Sequence, residues 1–226
     1  MVLHPDVVKA AQDELDRVCG DRMPDLGDWS DLRYIRGCIK EALRWMPASP
    51  LGIPHALIKN DEYMGYRLPD GATVICNIRA IHNDSERYSD PRLFDPTRWA
   101  HDDQTAAESA NNAHVSQRDH FMFGAGRRMC QGIHIAERSL YLAVARLLWA
   151  FDFAQSIDPI TNVEVPISDM DDLQGGMFVM PRPFRAKITP RDACKARLVK
   201  EAWSEARTTL LDEHLQWKVP QAFVQM

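Results

Sequence analysis

Residues 121–140 read FMFGAGRRMCQGIHIAERSL, and the setting of one residue in them, Cys130, decides how the rest of the chain is understood. Gly124, Gly126 and Gly132 frame it, and glycine admits backbone conformations and close approaches that other residues do not. Arg127 and Arg128 precede it, and an apolar-periodic run follows at once. Ile133, Ala136, Leu140, Ala143, Val144, Leu147, Leu148 and Phe151 recur at helical spacing, which predicts a helix of about five turns with these residues on its inward face. Cys130 then stands just ahead of a helix N-terminus, where free N–H groups and the positive dipole end favour thiolate over thiol. Arg128 adds positive charge two residues away.

Such a sulfur suits a soft metal or a nucleophilic attack. Three readings compete on the residues alone. In the first, Cys130 is the single axial ligand of a haem iron, with arginines matched to the propionates. In the second, it is a nucleophile with His120 or His134 as base, and the glycines and arginines have no role. In the third, His120, Cys130 and His134 bind zinc, at an uncommon spacing and without a fourth ligand.

The rest of the composition bounds the choice. The chain has 226 residues, 45% hydrophobic and 26% charged, with a net charge of −5. That is ordinary for a globular protein and gives no electrostatic case for nucleic acid as a partner. No apolar run is long enough to span a bilayer, and residues 1–20 lack the basic and apolar regions of a signal peptide. Cys19, Cys38, Cys76 and Cys194 are scattered, which predicts small core residues rather than a disulfide framework.

Along the chain, Val7, Val8, Ala11, Leu15 and Val18 predict a first helix closed by Gly20. A second runs from Asp31 to Trp45, with Leu32, Ile35, Ile39, Ala42 and Leu43 inward and Pro47 beyond its end. GIPHALI, EYMGYRL and ATVICNI, at residues 52–58, 62–68 and 72–78, predict strands. An Asp- and Pro-rich meander follows. Residues 100–118 carry almost no large apolar groups and predict a solvated surface loop. Beyond the long helix, VEVPI, GGMFVMP and FRAKI predict short strands, and Asp192–Trp217 predicts a tail helix with Ala193, Leu198, Trp203, Ala206 and Leu210 inward. The fold class is α+β, mainly helical, with small sheets.

Phe123, Gly126, Arg128, Cys130 and Gly132 complete the pattern Phe-x-x-Gly-x-Arg-x-Cys-x-Gly. It resembles the haem-binding signature of the cytochrome P-450 family. Glu41-Ala-Leu-Arg44, an i, i+3 pair on the second helix, resembles the Glu-x-x-Arg of the family's K helix. Pro96 and Arg98 in FDPTRW are similar to the segment that supplies the third member of that structural triad. The order and spacing of all three elements match the family, and residues 49–84 are similar to its fungal microsomal members.

The resemblance implies the C-terminal portion of a cytochrome P-450 domain. Residues 1–47 are the J and K helix region, 48–99 the sheet and meander, and 100–120 a surface loop. Residues 121–151 are the haem-cysteine loop and L helix, and 152–226 the C-terminal strands and tail helix. It implies a monooxygenase, an oxidoreductase that inserts one atom of O2 into a small apolar organic substrate, often in fungal secondary metabolism. The cofactor is haem b, and electrons come from NADPH through a cytochrome P-450 reductase. Cys130 is the iron ligand, and Arg128 and His55 hold propionates. Phe123 shields the sulfur, and the triad of Glu41, Arg44 and Arg98 fixes the loop. Arg127 belongs to the reductase-facing side. Residues 48–53 and 175–178 line the substrate pocket.

The family's distal acid–alcohol pair has no counterpart in these residues, so no catalytic residue of that kind is assigned. The expectation is a chain that does not turn over alone: a truncated product, one half of a split enzyme completed by a separately encoded N-terminal half, or a non-catalytic haem-binding scaffold. Relatives sit at the endoplasmic reticulum membrane; without their anchor this chain is expected in the cytoplasm.

Overall fold

The computed structural model describes residues 1–167 and 173–218. Helix α1 (Pro5–Val18) opens with proline at its first position and buries Val8, Ala11 and Leu15. Helix α2 (Arg33–Trp45) has no capping side chain of its own at Leu32. Glu14 of α1 caps it instead: its two carboxylate oxygens accept the N–H groups of Tyr34 and Ile35 at 3.0 Å each. An anion at a helix N-terminus satisfies free donors and faces the positive dipole end, so one side chain fixes two helices together.

Strands β1 (His55–Ala56) and β4 (Thr73–Val74) pair antiparallel around the hairpin β2 (Asp61–Tyr63) and β3 (Tyr66–Leu68). The predicted strand at 72–78 ends early, because Asn77 caps a short helix, α3 (Ile78–His82), accepting the Ala80 N–H. The meander runs on to a 3-10 turn at Pro96–Trp99. Helix α4 (Ala106–Ala110) and helix α5 (Ile133–Ala150) follow. Strand β5 (Phe151–Gln155) pairs antiparallel with β8 (Ala186–Pro190), while β6 (Leu173–Gly175) pairs with β7 (Val179–Pro181). Helix α6 (Ala193–Thr209) comes last.

The core lies where α1, α2 and α5 meet, on Leu15, Leu32, Ile35, Tyr141, Ala145, Leu148 and Trp149. Gln12 of α1 holds the end of α5 through the carbonyls of Leu148 and Phe151, at 3.3 and 3.2 Å. Gly37 lets α2 lie against the meander: a Cβ there would stand 2.7 Å from the carbonyl oxygen of Pro96. Gly37→Ala is expected to lower the urea midpoint, at a cost of about 1–3 kcal/mol from overpacking, although alanine is the better helix former.

Several expectations need correction. Residues 100–120 are not a solvated loop throughout. Thr105 and Glu108 form a capping box, and Ala106, Ala107 and Ala110 pack on Ile133. Small side chains bring this helix close to α5, and α2 supplies Lys40, whose Nζ lies 2.7 Å from Asp102 and 3.2 Å from the buried Asp119. On α5 the buried face is Ile133, Glu137, Tyr141, Ala145, Leu148 and Trp149, whereas Leu140, Ala143 and Leu147 are exposed. Ile133 and Leu148 are buried and Val144 packs on the core as expected, but the helix is apolar on more than one side, so periodicity alone misplaced Leu140, Ala143 and Leu147. Phe151 begins β5 rather than ending α5.

VEVPI makes only an isolated bridge, from Glu164 to Ile157. Helix α6 stops at Thr209, with Trp203 and Leu210 exposed and Leu198 and Val199 packed on the core. On α2, Ala42 is exposed and Leu43 only half-buried. Cys19 and Cys38 are core residues, but Cys76 and Cys194 are exposed. The predicted C-terminal region at 152–226 also includes residues 168–172 and 219–226, which lie outside the described residues.

Candidate active site: the cysteine loop and its buried anchor

Cys130 sits on a tight loop. Its N–H donates to the Phe123 carbonyl at 2.9 Å, the Gly124 N–H to the Phe121 carbonyl at 2.9 Å, and the Met129 N–H to the Gly126 carbonyl at 3.1 Å. Gly124 and Gly126 adopt φ of 76° and 66°, where a side chain would be strained. Gly132 is the N-cap of α5, so the cysteine stands at the helix entrance as its sequence predicts. The Cys130 thiol is exposed, and so are Arg127 and Arg128. Phe123 and Met129 face the other way and pack on the alanines of α4 and Ile133. The loop therefore has an apolar underside and a polar, open upper side.

The alternative chemistries find little support. His134 is exposed on the first turn of α5, and His120 is buried against Asp119. No hydrogen bond joins either imidazole to the Cys130 sulfur among the described residues. Nor do three or more His, Cys, Asp or Glu side chains among them form a metal site.

Glu41, Arg44 and Arg98 are brought together as predicted. Arg44 and Glu41 are fully buried and meet in a two-pronged pair, Nε to Oε2 at 2.8 Å and Nη2 to Oε1 at 2.7 Å. Arg98 Nε reaches Glu41 Oε1 at 3.3 Å. The sequence did not reveal the rest. Glu41 also accepts the Trp99 indole N–H at 3.0 Å and the Asp95 N–H at 2.9 Å. Arg44 donates to the carbonyls of His82, Pro91 and Leu93 at 2.8, 2.9 and 3.3 Å. The knot thus pins the meander to α2.

His82 was missed altogether. It is fully buried, with Nδ1 3.0 Å from the Arg44 carbonyl oxygen and Nε2 accepting the Phe121 N–H at 2.9 Å. Burial, then the nearby His120, pushes its imidazole down to about 3. Burial likewise holds His120 below the usual imidazole range. Below about pH 6.5 the unfolded chain protonates both while the folded chain resists, so stability falls as pH drops from about 6.5 towards about 3. His82 alone accounts for about 2–3 kcal/mol near pH 4.5. Urea unfolding across this range should show a shallower acid decline in His82→Gln than in the parent.

His55 is exposed on β1 opposite Val74, the position its strand predicts. The segments at 48–53 and 175–178 come together through the Val179 N–H, which donates to the Ala48 carbonyl at 2.7 Å. Leu51, Ile53, Met177 and Phe178, in those two segments, are all exposed. A separate apolar cavity of about 730 Å³ lies among Val8, Cys38, Ala42, Met46, Leu148 and Phe153, and no residue of the 121–132 loop lines it. No helix among the described residues is long and apolar enough to cross a membrane.

A glycine-bent cysteine loop thus stands before a long helix and is tied through His82 to a buried Glu-x-x-Arg pair. The cytochrome P450 family model matches residues 1–183, and the chain belongs to the cytochrome P-450 family. It is 53% identical over 218 residues to the cytochrome P-450 monooxygenase virE of Hypocrea virens, covering 96% of this chain and 39% of that protein. It is 51% identical over 225 residues to fogE of Aspergillus ruber, covering 99% and 41%. Among solved structures, a zebrafish cytochrome P-450 with abiraterone superposes with a TM-score of 0.67 at 28% identity, over 84% of this chain and 41% of that one. The chain therefore spans about two fifths of the length of the curated relatives it matches.

Proposed function

We propose that this chain carries the cysteine-ligand side of a haem-thiolate monooxygenase, with Cys130 as the axial ligand of haem b. The observation that carries this is the exposed thiol on a loop whose underside is packed and whose backbone is hydrogen-bonded at both ends. The residues fit the group. One soft donor faces outward, the glycines leave room for a flat macrocycle, and Arg128 and His55 are exposed and available to propionates.

Haem held through the Cys130 thiolate would supply the activation of dioxygen for monooxygenation of an unactivated substrate. The chain's own residues do the holding. Gly126 and Gly132 permit close approach, and Phe123 covers one side of the cysteine loop. Free N–H groups at the start of α5 temper the sulfur's charge. Glu41, Arg44 and Arg98 act on folding and haem retention rather than on bonds that break.

In this reading α1 and α2 are the J and K helices, residues 48–99 the sheet and meander, α5 the L helix, and the remainder the C-terminal strands and tail. The exposed apolar residues Leu51, Ile53, Met177 and Phe178 face a small apolar substrate. Electrons arrive from NADPH through a reductase that docks on the side of Arg127. Haem titrated into the purified chain, then reduced under carbon monoxide, should give the red-shifted Soret band of thiolate ligation. A band of the thiol or imidazole type overturns the assignment. Added reductase, NADPH and oxygen then test turnover separately.

A further inference from the structure

We propose that His82 is a positioning residue that sets the Cys130 loop against α2, and thereby sets how the sulfur is presented; its bearing on haem rests on the reading of Cys130 as the ligand. Hydrogen-bond roles fix the tautomer of the His82 ring. A carbonyl only accepts and a backbone N–H only donates, while a neutral imidazole has one donor and one acceptor. With the Arg44 carbonyl at Nδ1 and the Phe121 N–H at Nε2, the proton must sit on Nδ1 and the lone pair on Nε2.

The two bonds join different parts of the site. The Arg44 carbonyl lies in the last turn of α2, where helix carbonyls lack intrahelical partners. The Arg44 guanidinium returns a bond to the His82 carbonyl at 2.8 Å, so the two residues are tied in both directions. Phe121 opens the cysteine loop: its carbonyl takes the Gly124 N–H, and the carbonyl of Phe123 takes the Cys130 N–H. His82 is thus a bridge from the buried Glu41–Arg44 pair to the ligand loop. Its neighbours add weaker staples. Tyr88 donates to the Asp119 carbonyl at 2.5 Å, and the Arg87 guanidinium lies 5.3 Å from the Phe121 ring centroid. Losing His82 should therefore loosen the loop rather than unfold the chain.

Nitrogen-labelled chain without haem gives the first test. A scalar coupling across the hydrogen bond between the Phe121 amide nitrogen and His82 Nε2 is expected, with Nδ1 protonated; its absence, or the opposite tautomer, overturns the bridge. Two variants give the second. His82→Asn keeps a donor for Arg44 but is too short to reach Phe121, whereas the longer His82→Gln offers Phe121 an acceptor. Amide exchange at Phe121, Gly124 and Cys130 should quicken at least about tenfold in the Asn variant, with Leu15 and Trp149 unchanged, and Gln should restore most of the protection. Unchanged exchange at Cys130 in His82→Asn overturns the proposal, and so does loss of loop protection in His82→Gln. The haem arm separates the two ideas. If the parent shows the coupling but no thiolate-type band, the reading of Cys130 fails while the bridge stands. If the parent shows the band and His82→Asn keeps it undiminished, the ligand stands and the positioning role fails.

Discussion

Cys130→Ser is expected to remove the thiolate-type Soret band from the haem-loaded chain, and Cys38→Ser to leave it in place. The two cysteines differ in exposure and in setting. Cys38 lies in the core between α1, α2 and α5, only 7% exposed, and burial pushes its thiol up to about 12. At neutral pH it is a packed thiol without a path to a ligand. Cys19 is similar, pushed up by burial to about 11. Cys130 is exposed on a loop whose backbone hydrogen bonds are already made, so nothing in the fold has to open for it to bind. A serine hydroxyl is a hard, neutral donor and does not replace thiolate on iron. Cys76→Ser is the stricter control, because Cys76 is also exposed. A thiolate band that survives in Cys130→Ser, or that disappears equally in Cys76→Ser, sinks the assignment.

The loop and the triad were legible because their residues lie close in sequence or in fixed order: Gly126, Arg128 and Cys130 within five positions, Glu41 and Arg44 one helical turn apart. Tertiary partners of the same groups were not. Trp99, the Asp95 N–H and His82 reach Glu41, Arg44 and Phe121 across 38 to 58 residues, and nothing local marks them. Helix α4 was hidden by its composition. Alanines in a polar stretch look like loop, yet the Thr105-x-x-Glu108 capping box was a readable start signal, and Glu137 from α5 accepts the Ala106 N–H at 2.6 Å. For α5 the signal was ambiguous in the opposite way. Ile135, Leu140 and Leu147 are apolar yet exposed, while the charged Glu137 is buried, so only packing reveals which face the core takes.

Glu41→Ala is expected to destabilise the chain by about 3–5 kcal/mol, because it strands a buried charge instead of merely deleting a bond. Glu41 serves five donors: Arg44 twice, Arg98, the Trp99 indole and the Asp95 N–H. Arg44 has no exposed surface through which water might take over. Its remaining partners are neutral carbonyls, which satisfy hydrogens without balancing charge. Total stabilities of about 5–15 kcal/mol leave little margin for such a loss, so soluble yield and haem uptake should fall along with the urea midpoint. Glu41→Gln should lie between parent and alanine, since its amide oxygen keeps an acceptor but not the charge. The exposed pair of Arg197 and Glu201 on α6 provides the contrast: it has the same chemistry at i, i+4, but Glu201→Ala should leave the midpoint unmoved. A Glu41→Ala midpoint as close to the parent's as that of Glu201→Ala would mean that the knot holds nothing. The meander would then need another anchor for its grip on the cysteine loop.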